Sequence, residues 1–201
     1  ELSKMGFLCA KSTFYQKGEN INTELIIEKV GLPCFVKPNS AGSSFGISKV
    51  FEIADLEKAI HLALEHDNQV LIEQFINGTE VSCGVMVLNN EITSLPITEI
   101  VSENEFFDFK AKYQGLSQEI TPARISAELT KKVQQLSIEI YELLQLRSIS
   151  RIDFMIVENV PYVIEVNTTP GFSNESIVPK MIGASGKSLK EFWAEIMAAE
   201  I

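Results

Sequence analysis

The chain has 201 residues, of which 45% are hydrophobic and 22% charged, and these proportions are typical of a folded globular protein. They exclude a disordered chain, a collagen-like repeat and a coiled coil. The 27 acidic and 17 basic residues give a net charge of −10, which disfavours non-specific binding to nucleic acid or to an anionic membrane surface. The apolar runs are shorter than the ~20 residues that a membrane-spanning helix requires.

The cysteines and the first residue bear on the origin of the chain. Cys9, Cys34 and Cys83 are odd in number and widely spaced, which indicates a reducing compartment without disulfides or structural zinc. We therefore expect a cytoplasmic protein. Because the chain begins with Glu1 rather than Met, we also expect it to be a fragment.

In the first third of the chain, hydrophobic spacing and turn residues predict two helices and three strands. Gly31 ends the first helix, and Pro38 ends the first strand. The predicted elements are a helix over 25–30, a strand over 32–38, a small-residue loop over 39–46, a strand over 47–51, a helix from Asp55 and a strand over 70–75.

The remainder of the chain predicts more strands, one long helix and a C-terminal helix. The predicted elements are strands over 80–88 and 92–101, a loop over 103–119, a helix over 128–146, strands over 151–157 and 162–166, a loop over 167–187 and a helix from Ser188. Helices alternate with hairpins, so we predict two α+β lobes with antiparallel sheets, over residues 1–76 and 77–201.

Four polar residues near the end of the chain suggest a metal site. Arg151 and Asp153 share one face of a strand, as do Glu165 and Asn167. A hairpin symmetric about Asn159 would place Asp153 opposite Glu165 and Arg151 opposite Asn167, with Cβ atoms ~5 Å apart. Carboxylate and amide oxygens suit Mg²⁺ or Mn²⁺. The alternative is a solvent-exposed face of ordinary charged residues.

Three further segments suggest nucleotide binding, and each has a simpler interpretation. Lys37 precedes the loop 41–46 (AGSSFG), whose small residues would let backbone N–H groups approach phosphate, although these residues taken alone favour an ordinary loop. The segment 73–76 (EQFI) could pair with an adenine edge and Glu80 could bind ribose, or this could be an edge strand. Aromatic and basic residues over 108–115 suggest a lid over anions, or a loop packed onto the core.

Five segments in series resemble those of the D-alanine–D-alanine ligases of the ATP-grasp superfamily. They are, in chain order, VKPNSAGSSFGISKV, IEQFINGTEV, FFDFKAKY, RIDF and IEVNTTPGFSNESIVPK. The similarity runs from about residue 30 to the C-terminus. It implies an ATP-grasp fold, in which two α+β lobes grip a nucleotide. It also implies a cytoplasmic enzyme of peptidoglycan synthesis that is a homodimer at full length. Such an enzyme binds D-alanine and ATP and does not bind nucleic acid or membranes.

In the reaction that the resemblance implies, ATP phosphorylates the carboxylate of one D-alanine, and the amine of a second D-alanine attacks the acylphosphate. Two Mg²⁺ or Mn²⁺ ions assist. The implied nucleotide contacts are Lys37, Ser44 and the lid residue Lys112 at the phosphates, Glu73, Gln74 and Ile76 at adenine, and Glu80 at ribose. The implied metal ligands are Asp153, Glu165 and Asn167. The implied catalytic and substrate contacts are Arg151 and the Gly171 backbone at the oxyanion, Ser43 and Ser176 at substrate, and Tyr113, whose lid position favours an amine acceptor.

The chain departs from the family pattern in several places. Phe107 and Phe109 replace lid tyrosines, and Gln74 replaces a frequent lysine. From the resemblance we expect this sequence to lack the family's N-terminal substrate domain. We therefore expect this chain to bind nucleotide and magnesium but to turn over poorly or not at all. The alternatives are another ATP-grasp carboxylate–amine ligase and a nucleotide-binding module without turnover. The intact polar residues at positions 37, 151, 153, 165 and 167 argue against the second alternative.

Overall fold

A computed structural model describes residues 2–40, 46–88, 91–102 and 117–200 of the chain. These residues form two compact units, and each is described by itself. The smaller unit includes Ala10–Asn77, and the larger lies within Glu1–Cys9, Gly78–Val101 and Gln118–Ile201. The lobe boundary between residues 76 and 77 stays a prediction, and the observed grouping differs from it in joining Glu1–Cys9 to the larger unit.

The smaller unit is an antiparallel sheet covered by two helices. Its strands lie in the order β1-β4-β2-β3. They are β1 (Ser12–Gln16), β2 (Cys34–Pro38), β3 (Ser48–Val50) and β4 (Gln69–Gln74), and the helices are α1 (Thr23–Val30) and α2 (Ile53–Ala63). Alternate residues of β2 and β4, including Val36 and Ile72, pack against Leu56 and Ile60 of α2 to form the core.

Local signals define most of these elements. The Asn22 side chain accepts a hydrogen bond from the Leu25 N–H and caps the start of α1, and Gly31 ends the helix in a left-handed conformation with φ 76°. The predicted helices and strands of this unit are confirmed, within two residues at each end. Strand β1 was not predicted, because its residues show no clear alternation of apolar and polar side chains.

The larger unit is an antiparallel sheet with helices on both faces. Its strands lie in the order β10-β9-β5-β7-β8, with β6 also paired to β5. They are β5 (Thr79–Leu88), β6 (Glu91–Ser94), β7 (Thr98–Ser102), β8 (Ser117–Ile120), β9 (Ile149–Val157) and β10 (Val160–Asn167), and the helices are α3 (Ala127–Leu143), α4 (Ile177–Ala184) and α5 (Leu189–Glu200). A short 3₁₀ helix spans Leu2–Met5.

Alternate residues of β5 separate the two cores of this unit. Val81, Cys83 and Val85 belong to the core that α3 covers. Met86 and Leu88 belong to the core formed with α4 and α5. Successive side chains of a strand point to opposite faces, so the even-numbered residues of β5 share the face on which α4 and α5 pack.

Among the described helices, none is long and apolar enough to cross a membrane.

Three predicted elements of this unit need correction. The strand predicted over 92–101 is divided into β6 and β7, because the chain leaves the regular ladder around Pro96, which has no N–H to donate. The loop predicted over 167–187 contains α4, whose first turn accommodates Pro179. The loop predicted over 103–119 ends in β8, while its residues 103–116 lie outside the described part of the chain.

Candidate active site

The hairpin of β9 and β10 carries the predicted metal ligands. Its turn contains two residues, Glu158 and Asn159, with φ of 50° and 64°, and Val157 pairs with Val160. Two successive residues with positive φ are typical of a type I′ turn, which matches the twist of antiparallel strands. The predicted turn over 158–160, symmetric about Asn159, is therefore wrong by one residue at the turn itself.

A bulge restores the predicted pairing farther along the hairpin. The register shifts by one between Val163 and Glu165. Beyond this shift, Asp153 pairs with Glu165 and Arg151 pairs with Asn167, as the sequence predicts. Directly opposed residues lie on the same face of an antiparallel pair, so these four residues share one face of the sheet.

The Asp153 carboxylate is the centre of a hydrogen-bonded group. Its Oδ1 accepts hydrogen bonds from Ser82 Oγ at 2.6 Å and Arg151 Nε at 2.8 Å. Its Oδ2 accepts from Arg151 at 2.8 Å and from Asn167 Nδ2 at 2.9 Å. The Arg151–Asp153 contact is therefore bidentate, the geometry that gives the most directional ion pair. Its two side chains are 18% and 10% exposed.

Arg151 is the cation of an otherwise acidic group. Burial alone would lower the pKa of Arg151, but the hydrogen bonds and charge of Asp153, with the charges of Glu165 and Glu80, raise the pKa above the usual arginine value. The guanidinium thus stays charged and compensates carboxylates from three strands. Removing one partner of such a group would leave the others without compensation.

Sequence reasoning missed Ser82 as a member of this site. Ser82 lies on β5 directly opposite Asp153 and is 1% exposed. The sequence offers one weak signal, since Ser82 shares a strand face with the predicted ribose contact Glu80. The two residues that hydrogen-bond are 71 positions apart, so only the pairing of β5 with β9 brings them together.

The smaller unit brings two predicted nucleotide contacts together. Lys37 of β2 lies opposite Leu71 of β4, and Glu73 lies two residues farther along β4. Lys37 Nζ is 2.5 Å from the Glu73 carboxylate, and the two side chains are 26% and 19% exposed. Each therefore remains partly accessible to a ligand.

Two of the three backbone N–H groups of residues 74–76 already donate hydrogen bonds within the smaller unit. The Gln74 N–H donates to the Lys11 carbonyl at 2.8 Å, and the Phe75 N–H donates to the Pro33 carbonyl at 3.1 Å. No hydrogen bond joins the Ile76 N–H to another described residue. Of these three donors, Ile76 is the one that a purine edge could use.

A second group of the larger unit precedes α4. Ser176 occupies the N-cap position of α4, yet its side chain does not cap the helix. Its Oγ instead accepts from the Ser173 N–H at 3.0 Å and contacts the Ser173 hydroxyl at 2.9 Å. A Cβ placed on Gly171 would lie 3.0 Å from the same oxygen, so Gly171, Ser173 and Ser176 converge.

The remaining predicted residues divide into two sets. Glu80 lies on β5 between Ile100 of β7 and Met155 of β9. The predicted loop and lid contacts lie outside the described residues, together with the two lid phenylalanines. They are Ser43, Ser44, Lys112 and Tyr113, with Phe107 and Phe109.

The donors of the hairpin fit a hard divalent cation in their chemistry. Asp153, Glu165 and Asn167 supply carboxylate and amide oxygens on one face of the sheet. Within the described residues, no three His, Cys, Asp or Glu side chains are grouped closely enough to form a complete site by themselves. Both Asp153 oxygens accept hydrogen bonds from Arg151, so a cation would compete with that contact.

Comparison with known proteins identifies the family. The family model for the D-ala D-ala ligase C-terminus matches residues 2–198. The chain belongs to the D-Ala–D-Ala ligase family. It is 54% identical over 192 residues to the D-alanine–D-alanine ligase of Flavobacterium johnsoniae, a match that covers 96% of this chain and 59% of that protein. The curated D-alanine–D-alanine ligases that the chain matches are covered over 52% to 61% of their length.

Solved structures of the family share the fold. The D-alanine–D-alanine ligase of Bacillus anthracis, in complex with ATP, aligns with a TM-score of 0.80 and 32% identity, over 97% of this chain and 62% of that one. The VanG D-Ala:D-Ser ligase of Enterococcus faecalis aligns with a TM-score of 0.82 and 36% identity, over 100% and 59%. These neighbours confirm the predicted α+β, ATP-grasp fold class.

Proposed function

We propose that this chain provides the nucleotide-binding and metal-binding part of an ATP-dependent ligase that joins D-alanine to a second D-alanine for peptidoglycan synthesis. The observation that supports the proposal most is the group around Asp153, in which Glu165 and Asn167 share its sheet face and Arg151 lies beside it. The chain spans only 52% to 61% of the length of its curated relatives, so the activity of a whole family member is part of the proposal.

Asp153, Glu165 and Asn167 would hold Mg²⁺ or Mn²⁺, two ions in the full site. When bound, the cation would neutralise phosphate charge during transfer. Asn167 donates its amide to Asp153 here, so its side chain would turn to offer the oxygen. Arg151 would then release part of its contact with Asp153 and become available to an anion.

The proposed nucleotide contacts are those that the family resemblance implies. Lys37 would bind the phosphates, and its contact with Glu73 sets its position on the sheet. Ser44 and Lys112 complete the phosphate contacts in the proposal. The Ile76 N–H would donate to adenine and the Gln74 carbonyl would accept from it, and Glu73 borders that segment. Glu80 would bind the ribose hydroxyls.

The acyl-transfer step would use the larger unit. The neutral amine attacks the carbonyl carbon of the acylphosphate and forms a tetrahedral, negatively charged intermediate. This intermediate collapses when its C–O bond to phosphate breaks and the amine nitrogen loses a proton, which leaves the amide and inorganic phosphate. Arg151 and the Gly171 N–H would stabilise the oxyanion, as preorganised donors do in acyl transfer. Ser176, which is not used as a helix cap, would bind the carboxylate of the acceptor. Ser43 and Tyr113 would complete the substrate contacts.

A second acceptor is worth testing because VanG, which is 36% identical over the whole chain, is a D-Ala:D-Ser ligase. D-serine differs from D-alanine by one hydroxyl and offers the same amine. Because we expect this chain to turn over poorly by itself, the assay uses the chain joined to the N-terminal substrate domain of a curated relative. Phosphate release from ATP with D-alanine, D-serine or D-lactate as the second substrate then distinguishes the acceptors. The proposal predicts the highest rate with D-alanine, and a higher rate with D-lactate than with D-alanine would contradict it.

The decisive experiment measures the melting temperature of this chain with and without Mg-ADP. At 100 times its Kd, a ligand that binds only the folded state adds ~2.7 kcal/mol to the unfolding free energy. For a chain of this size that corresponds to roughly 5–10 °C. The shift should require magnesium and be lost in Asp153→Asn. Glu158→Gln removes one exposed charge from the turn of the same hairpin and should retain it.

A further inference from the structure

The sheet of the smaller unit carries a group of aromatic rings around a lysine on the face that points away from the core. Val50 of β3 packs into the core, so its neighbours Lys49 and Phe51 point to the opposite face. Phe35 of β2 lies directly opposite Lys49. Phe75 directly follows β4 and contacts the same group. We call these four residues, Phe35, Lys49, Phe51 and Phe75, the ring cluster.

The Lys49 ammonium lies over two of these rings. Its Nζ is 3.7 Å from the centroid of the Phe75 ring and 5.0 Å from the centroid of the Phe51 ring. Both distances are within the ~6 Å at which the negative face of an aromatic ring attracts a cation. The Phe35 and Phe75 rings meet edge to face, with centroids 5.7 Å apart and an angle of 75° between their planes. The Phe75 ring is thus held by a cation and by a second ring.

Phe75 lies between the two residues whose backbone is proposed to bind adenine. Gln74 is the last residue of β4, so Ile76 lies beyond the hydrogen-bonded ladder. The Phe75 N–H donates to the Pro33 carbonyl at 3.1 Å, and no hydrogen bond joins the Ile76 N–H to another described residue. The direction of the Ile76 N–H therefore depends on how its neighbour Phe75 is fixed, and the ring cluster fixes the Phe75 side chain.

The position of Lys49 suits this role better than a direct contact with phosphate. The Phe75 backbone bonds to Pro33, just before β2 begins, whereas the proposed phosphate contact Lys37 is the last residue but one of β2. Four residues of an extended strand span ~13 Å. The Lys49 ammonium lies over the Phe75 ring, so it points to the end of β2 that is remote from Lys37.

We propose that Lys49 is a positioning residue for recognition of the adenine base, acting through the ring of Phe75. The inference rests on the proposed function, in which the Ile76 N–H donates to adenine and the Gln74 carbonyl accepts from it. Adenine presents a ring-nitrogen acceptor beside an amino donor. Guanine presents an N–H donor beside a carbonyl acceptor on the same edge. A backbone donor and acceptor fixed to match adenine therefore reject guanine, since the polar groups would be left unpaired.

The test measures the affinities for Mg-ADP and Mg-GDP by calorimetry, well below the melting temperature, because their ratio reports recognition of the base. Lys49→Met removes the ammonium and keeps an unbranched apolar stem. We expect its preference for ADP over GDP to fall about fivefold, the effect of losing one cation–π contact. Lys49→Arg keeps a cation that stacks on aromatic rings and should retain the preference. Lys58→Met, exposed on α2 of the same unit, has the same net charge as Lys49→Met and should behave as the parent.

A second pair of measurements tests whether Lys49 acts through the ring. Phe75→Leu removes the aromatic face and keeps an apolar side chain, so the preference for ADP should fall as it does in Lys49→Met. In the Phe75→Leu background, Lys49→Met should have no further effect, because the ring through which it acts is absent. The affinity for inorganic tripolyphosphate with Mg²⁺ should be the same in the parent and in Lys49→Met.

The possible outcomes separate the two proposals. A parent chain that binds neither nucleotide overturns the proposed function and this inference with it. If the parent prefers ADP and Lys49→Met keeps that preference, only this inference is overturned. An equal loss of affinity for ADP and GDP would indicate a purely structural role, and a loss of tripolyphosphate affinity would indicate a direct phosphate contact; either overturns it. An unchanged preference in Phe75→Leu contradicts the inference even if Lys49→Met does not fold.

Discussion

Asp153 and Glu165 lie directly opposite each other because a bulge at Ile164 offsets the pairing that the turn sets. The turn pairs Val157 with Val160, and continuing that register would place Ile164 opposite Asp153. It would also turn Glu165 toward the core that contains Val163. With the bulge, Val166 packs against that core instead, and Glu165 joins Asp153 on the opposite face. The bulge is therefore what assembles the carboxylate pair.

The first prediction concerns the missed residue Ser82. Ser82→Ala removes the hydroxyl that donates to Asp153 and leaves a buried carboxylate with one donor fewer. We expect the free energy of unfolding to fall by about 1–2 kcal/mol, the usual cost of losing a buried hydrogen bond to a charged group. Urea denaturation measures this change.

Ser150 provides a matched control in the same sheet. It is 1% exposed, as Ser82 is, but its Oγ has no hydrogen-bond partner among the described residues. Ser150→Ala deletes the same atom without deleting a hydrogen bond, so it should be neutral or stabilising. Equal destabilisation by the two variants would contradict the importance of the Ser82–Asp153 contact.

The sequence predicted the composition of the hairpin site better than its local geometry. The pairs Asp153–Glu165 and Arg151–Asn167 are both centred on position 159 of the sequence. This symmetry correctly predicts which residues pair. It implies a turn centred on Asn159, however, whereas the chain uses a two-residue turn and a bulge. The turn shifts the register by one residue and the bulge shifts it back. The residues beyond the bulge therefore pair as they would without either shift, and a sequence pattern could not reveal the two shifts.

Contacts between residues far apart in the chain are the second feature that the sequence could not predict. The hydrogen bond between Ser82 and Asp153 depends on the pairing of β5 with β9, and neither strand encodes that register locally. The contact of Asp67 with Ser40 is likewise set by the packing of the smaller unit. Helix α4 was missed for a local reason, since glycine, serine and proline around Pro179 favour loops on average.

The second prediction concerns Lys37. Because the Lys37–Glu73 pair is partly exposed, Lys37→Ala should change the unfolding free energy by no more than ~1 kcal/mol. Its affinity for Mg-ATP should fall by at least about tenfold, since one phosphate contact by a cation is lost. Calorimetric titration and a melting curve measure the two effects separately.

Lys58→Ala is the control for the loss of charge. Lys58 is exposed on α2 of the same unit, so this variant has the same net charge as Lys37→Ala. It should bind Mg-ATP as the parent does. If both variants weaken binding to the same extent, the effect is one of overall charge and Lys37 has no specific role at the phosphates.

The third prediction concerns Gly171, where a Cβ would lie 3.0 Å from Ser176 Oγ. Gly171→Ala should displace the Ser176 hydroxyl and so weaken binding of the acceptor's carboxylate, with little effect on nucleotide affinity. Titration with D-alanine in the presence of Mg-ADP measures the affinity for the acceptor. Titration with Mg-ADP alone measures the affinity for the nucleotide. Gly183→Ala, on α4 with no atom near its Cβ position, should affect neither. A loss of nucleotide affinity in Gly171→Ala would contradict the division of roles.

The last prediction concerns the pH dependence of stability through Glu99. This buried carboxylate accepts hydrogen bonds from the Arg124 backbone N–H at 3.1 Å, from its Nε at 2.9 Å and from a terminal nitrogen at 2.7 Å. The Arg124 side-chain hydrogen bonds are the main cause of a lowered pKa at Glu99. A group whose pKa is lower in the folded state stabilises the fold above its unfolded-state pKa, and this contribution is lost as the pH falls through the folded-state value.

We therefore expect Glu99→Gln to lower the unfolding free energy by about 1–2 kcal/mol at pH 7, where the charge-assisted bonds are intact in the parent. The difference between parent and variant should shrink at acidic pH. The decrease begins near pH 4, where the glutamate of the unfolded parent binds a proton, and it is complete once the folded parent is protonated as well. Urea denaturation at a series of pH values measures it. Glu142→Gln, exposed on α3, should show little difference at any pH. A parent–variant difference that stays constant down to pH 3 would mean that the Glu99 charge, as distinct from its shape, does not stabilise the fold.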